Sequence, residues 1–188
     1  MTGRQSCAAA LGLAAAASLM TVPAHGQEAG AAPPGSAAVA AFHGALPARV
    51  AGVPRADGGY EPAMAVYAGA EPLDPVIAVA FADIEAPKTL RDLAALGRAE
   101  PLRVGLIETL FEGRFAIPGR AGARTFFGDY LTHSGIRQVW IAEQDGVRTT
   151  VSATIHRAED RGRVFDGIRQ ALLGGAEMAA PLAAAETN

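Results

Sequence analysis

The stretch Gly135–His156, GIRQVWIAEQDGVRTTVSATIH, constrains the fold more than any other. Asp145-Gly146 is the preferred pair for a two-residue type I′ turn, because both positions need positive φ. A turn that tight fixes the register outward. Gln144 opposes Val147, Glu143 faces Arg148, Ala142 faces Thr149, Trp140 faces Val151 and Ile136 faces Ile155. Val147, Val151, Ala153 and Ile155 then share one face, and Arg148, Thr150, Ser152, Thr154 and His156 the other. A slip of one residue would turn Val151 and Ile155 to solvent, so the pattern resists it. Trp140–Val151 is expected in the core. Glu143–Arg148 is expected as a solvated ion pair worth ~0.2–1 kcal/mol. The outer face carries Val139 and Ile141 among its hydroxyls, more apolar than solvent requires, and is a candidate binding surface unless a helix covers it.

The rest of the chain supplies a sheet for this hairpin to join. Ala63–Ala68 and Val76–Ile84 read as strands, the second with Ile77, Val79, Phe81 and Asp83 on the face that meets the core. Leu46–Val53 reads as a short edge strand between Pro47 and Pro54, after which Gly58-Gly59 makes a turn. Lys88–Leu96 changes to helical period, with Pro87 in its first turn and Gly97 as its stop. Residues 102–108 fit helix and strand about equally. Thr109–Ile117 is expected to hairpin through Pro118-Gly119 onto Ala123–Leu131. Glu159–Leu173 is a second helix, with Val164, Phe165, Ile168, Ala171 and Leu172 in one stripe and Gly174-Gly175 ending it. The expectation is a single α+β domain over residues 46–175, of order βββ-α-ββββ-α, with an antiparallel sheet and helices on one face.

The termini differ in composition. Arg4 precedes the apolar run Ala8–Met20, and Val22 and Ala24 suit cleavage after Ala24, which is the layout of a secretory signal peptide over residues 1–24. The run is shorter than the ~20 residues of a membrane span. Residues 25–45 read as a flexible Ala/Gly/Pro leader and 176–188 as a loose tail, since neither can bury enough apolar surface to offset its ordering entropy. The chain is therefore read as a periplasmic or secreted protein.

Composition excludes several chemistries. The sole cysteine, Cys7, lies inside the signal segment, so thiol catalysis, disulfides and Cys-ligated zinc drop out. Removing residues 1–24 takes Arg4 alone from 16 basic residues and none of the 19 acidic ones. The remaining cations are scattered singly from Arg49 to Arg169, which does not suit a nucleic-acid partner. His25, His43, His133 and His156 show no metal-ligand spacing, and no cofactor motif is present. His133 and His156 are expected near one another, with Asp129 close in sequence. Ser134, His133, His156 and Asp129 are thus the residues a small hydrolase or a chance metal site would use, though Ser134 lacks the G-x-S-x-G elbow. Glu108 and Glu112 stand at i, i+4 spacing, for which a solvated face is the simpler account. Phe111, Phe115, Phe126, Phe127 and Tyr130 form the aromatic-richest stretch, suited to core packing or to a groove for a partner or lipid-like ligand.

In the order of its elements the region Leu46–Leu173 resembles the PsbP-like fold: early strands, the helix near Leu90–Leu96, the hairpin around Pro118-Gly119, the QVWIAEQDGVRTTVSATIH hairpin and the closing helix. The resemblance implies a non-catalytic binding or accessory protein and assigns no site residue. With no clustered catalytic groups, the sequence points to an exported envelope protein that binds a protein or small apolar ligand. A Ser134/His156 hydrolase and a structural envelope component are the alternatives.

Overall fold

The structure, a computed structural model, describes residues 36–56 and 63–181. The expected signal peptide, most of the leader, the Gly58-Gly59 turn and residues 182–188 lie outside them.

The Asp-Gly hairpin forms as its turn chemistry demands. Asp145 and Gly146 have φ of 51° and 78°, and β7 (Gly135–Gln144) pairs with β8 (Val147–Ile155) in the expected register from Gln144↔Val147 to Ile136↔Ile155. Around it grows an antiparallel sheet. Outward from β8 lie β4 (Val76–Asp83) and β3 (Met64–Ala68). Outward from β7 lie β6 (Arg124–Thr132), β5 (Leu106–Ala116) and β9 (Glu177–Pro181). The order is β3-β4-β8-β7-β6-β5-β9, with every pairing antiparallel.

The α+β class therefore stands, and the helices pack on the sheet. They divide between its two faces, where one face was expected. α1 (Ala37–Gly44) and α3 (Asp160–Ala171) contribute Val39, Val164 and Ile168 to the main core, which holds Ile77, Val79, Phe81, Phe127, Trp140, Val151 and Ile155. α2 (Leu90–Arg103) places Leu93 and Ala94 on the reverse face, against Phe126, Tyr130, Val139 and Ile141. Val139 and Ile141 were the apolar side chains that the outer face of the hairpin could not account for. The helix that covers them accounts for them, and that part of the face is not a free binding surface.

Four boundaries move, each for a physical reason. Ser36 caps α1 inside the expected leader, accepting from the Val39 N–H and bonding Asp83. The expected strand at Leu46–Val53 is cut by Ala51-Gly52, both with positive φ, into β1 (Arg49–Val50) and β2 (Val53–Pro54), a two-stranded ribbon. In α2, Thr89 and Asp92 form a capping box. Gly97 does not stop that helix: it lies inside it, where a Cβ would collide with the Phe126 ring, and the helix runs on through Pro101 to Arg103. The ambiguous residues 102–108 are thus helix end, a turn through Gly105 (φ 87°) and strand start. Lastly, Glu177–Pro181 of the expected tail is β9, paired with Gly113–Ala116 of β5.

Candidate functional site

The hydroxyl, imidazoles and carboxylate of the hydrolase alternative come from neighbouring elements but are not assembled. His133 and Ser134 form the β6–β7 turn, and His156 follows β8 at the same end of the sheet, all three exposed. The Ser134 hydroxyl pairs with Thr132 Oγ1 at 3.2 Å, and no hydrogen bond joins it to either histidine. Asp129 points the other way, into the main core side. There it is 3% exposed and takes Arg161 of α3 on Oδ2 at 2.6 Å, while Oδ1 has no partner. Among the described residues no group of three His, Cys, Asp or Glu side chains comes together to hold a metal ion.

Two carboxylates expected in solvent are built into the packing instead. Glu112 sits in β5, not on a helix. It receives Arg98 Nε at 2.6 Å and the Tyr130 hydroxyl at 2.8 Å beneath α2. Burial and the adjacent Glu112 carboxylate push the Tyr130 phenol far above its ordinary range. Glu143, expected in a solvated pair, is 3% exposed. It accepts Arg148 Nε and Nη2 at 2.9 and 2.7 Å and the Lys88 backbone N–H at 2.8 Å. The loop entering α2 seals it from above, which the alternation of a single strand could not show. Glu108 remains exposed.

The aromatic stretch splits by strand alternation. Phe111, Phe115 and Phe127 join Trp140 and Phe165 on the α3 side, with ring centroids 4.2–5.8 Å apart. Phe126 and Tyr130 lie under α2. Both sets are core, and they do not line one groove.

A groove does exist, and it lies on the reverse face where α2 ends its cover. α2 spans β5, β6 and β7 but leaves the same face of β8, β4 and β3 open, because beside the helix β4 offers Ala78, Ala80 and Ala82, with Val76 at its far end. Such small side chains give a helix no apolar ridge to bury. Ala80, Phe81, Ala82, Leu96, Ile141, Arg148 and Thr150 enclose about 190 Å³ beside the helix. Leu96 forms the wall and stays 42% exposed. Farther along, Glu100 of α2 reaches over to Arg137 (2.8 Å) and the Ser152 hydroxyl (2.5 Å), closing the lower end with polar groups. The sequence pointed to this face through Val139 and Ile141, which α2 covers. The groove itself needed the edge of α2 and the register of β4, which no local pattern carries.

No family model and no curated protein matches the chain. Among solved structures it is similar to LpqN of Mycobacterium tuberculosis, described as involved in cell envelope biogenesis, with 14% identity and a TM-score of 0.41 over 72% of this chain and 81% of that one. The PsbP-like resemblance thus rests on the order of elements. Among the described residues, no helix is long and apolar enough to cross a membrane.

Proposed function

We propose that this is an exported, non-catalytic binding protein of the cell envelope that holds an apolar group in the groove between α2 and the open half of the sheet. One observation carries the reading: Leu96 and the alanines of β4 present an apolar concavity with a single charged side chain, Arg148, at one end. Its volume decides what kind of group fits. A pocket that encloses a drug-sized ligand measures ~300–1,000 Å³, and this one is smaller and open to solvent. It suits one large side chain of a partner or a short length of acyl chain. The hydrolase alternative is weakened by the geometry of its own residues, since Asp129 is committed to Arg161 on the opposite face from the groove.

Fluorescence of N-phenyl-1-naphthylamine, which brightens in apolar surroundings, tests the groove. The wild-type chain should bind it. Leu96→Asp, which puts a charge on the wall, and Ala80→Trp, which fills the floor, should each weaken binding ~10-fold or more, about the cost of losing one buried apolar side chain. Binding unaltered in both variants would sink the proposal. Export is tested separately, by finding the N-terminus of the protein from a periplasmic or culture fraction just after Ala24.

A further inference from the structure

The charges around the groove are distributed unevenly. Glu143 is the buried acid at its upper end, and it is flanked in register on the same face by Arg124 of β6 and Arg148 of β8. Both Arg148 bonds to Glu143 use Nε and Nη2 on a single carboxylate oxygen. Among the described residues its remaining terminal nitrogen, Nη1, has no hydrogen-bond partner, and the side chain lines the groove. Arg124 is exposed and, among the described residues, donates to the Lys88 carbonyl alone, at 3.5 Å. Lys88 itself stands beside them, its backbone N–H on Glu143. On this face one carboxylate therefore stands between two guanidinium groups, Arg124 and Arg148. Asp83, the nearest acid on β4, falls on the other face of the sheet and is bonded by Ser36. Glu85, just past the strand, is exposed.

An apolar floor that ends at an excess of positive charge matches a ligand with an apolar chain and one negative end. We infer that the groove takes single-chain anionic amphiphiles, with a fatty-acid-type carboxylate at Arg148 Nη1 and the first carbons of its chain between Leu96 and Ala80. This rests on the groove being a binding site at all, and adds the chemistry of its ligand. The rest of the chain follows the half-buried strip of Ala78 and Thr150 and stops short of Ser152, where Glu100 closes the groove, so that the cavity need hold only the end next to the head group. A guanidinium donates to a carboxylate in a charge-assisted bond, which an alcohol of the same length receives only weakly.

Displacement of bound N-phenyl-1-naphthylamine by decanoate, decanol and decylammonium at pH 7.5 separates the possibilities. Decanoate is expected to displace the probe ~10-fold or more better than decanol, the difference a charged hydrogen bond makes. Decylammonium should be weaker still, and the advantage of decanoate should shrink as salt is raised. Arg148→Met is expected to erase the preference, bringing decanoate down to the level of decanol in the same variant. Because that change strands Glu143, the paired variant Glu143→Gln/Arg148→Met, which removes both charges, is measured beside it, with circular dichroism to show that it folds. Equal displacement by decanoate and decanol, or a preference that survives in the paired variant, overturns the inference and leaves the apolar groove standing. Failure of the probe itself to bind overturns the groove.

Discussion

Asp129 and Glu143 are both acids on central strands, and both are nearly inaccessible, yet their situations differ. Glu143 has three donors, whereas Asp129 has Arg161 on one oxygen and nothing on the other. Burial pushes the Asp129 carboxyl above the ordinary carboxylate range, and the Arg161 pair only partly offsets it. The folded chain therefore holds this proton more tightly than the unfolded chain. The cost of burying the charge is complete above the folded pKa and is relieved as pH falls through it toward the ordinary value of ~3.9. Asp129→Asn carries no charge at any pH and lacks this dependence. Acidification through that window is expected to stabilise the wild type relative to Asp129→Asn, measured by urea unfolding at a series of pH values. A difference that stays flat or moves the opposite way would mean that Arg161 outweighs burial. Neither acid's depth was legible in the sequence. Strand alternation assigns a side chain to a face, but what covers that face comes from elements 30 or more residues away, such as Lys88 over Glu143 and Arg161 over Asp129.

At the scale of elements, legibility followed how local the cause was. The Asp145-Gly146 hairpin and the face of β4 came through because turn chemistry and a two-residue period decide them within a few residues. α1 and β9 did not. Their Ala-rich sequences have little pattern, and each is held by something distant: Asp83 by its bond to Ser36, or the β5 edge by pairing. Gly97 misled for a related reason, since glycine there allows the close approach of Phe126 and does not end a helix. The two glycines of α3 make the same distinction testable. A Cβ at Gly162 would meet nothing, so Gly162→Ala should stabilise the protein by ~0.5–1 kcal/mol through helix propensity. At Gly167 it would lie 2.6 Å from the Ala51 Cα in the β1–β2 turn. Gly167→Ala should gain the same propensity and lose more by forcing α3 off that turn, for a net loss of about 1–3 kcal/mol, the usual cost of overpacking. Thermal unfolding of the two variants, run side by side, checks both signs. Stabilisation by both would show that α3 can move away from Ala51 freely.

For the whole molecule, the sheet is asymmetric in how it is protected. One edge strand, β3, is partly shielded by the small ribbon through the Arg55–Tyr67 bridge and the Ala56-to-Val66 bond. The other edge is finished by β9, which follows α3 through Leu173 and Ala176, both buried. β9 covers only Gly113–Ala116. Among the described residues nothing pairs with the outer edge of the first half of β5, which carries two register shifts, between Leu106 and Glu108 and between Thr109 and Phe111. Such bulges distort a strand's outer edge and disfavour pairing with another chain. The stretch of β5 beyond those two shifts is the one that β9 occupies, with a further register shift between Gly113 and Phe115. A chain ending after Gly175 would uncover the segment Gly113–Ala116 and the buried Phe115 with it. It is expected to keep the Asp-Gly hairpin and the α2 face, to unfold at lower denaturant, and to self-associate through the bare edge. Size-exclusion chromatography over a range of concentrations reads the association directly. A truncated chain that stays monomeric at all concentrations would show that the bulged half of β5 protects the whole edge, and that β9 serves only to cover Phe115. Replacing Arg114, which is exposed in that segment, with Pro in the truncated chain should return it to monomer, because proline removes an edge donor that an incoming strand would need.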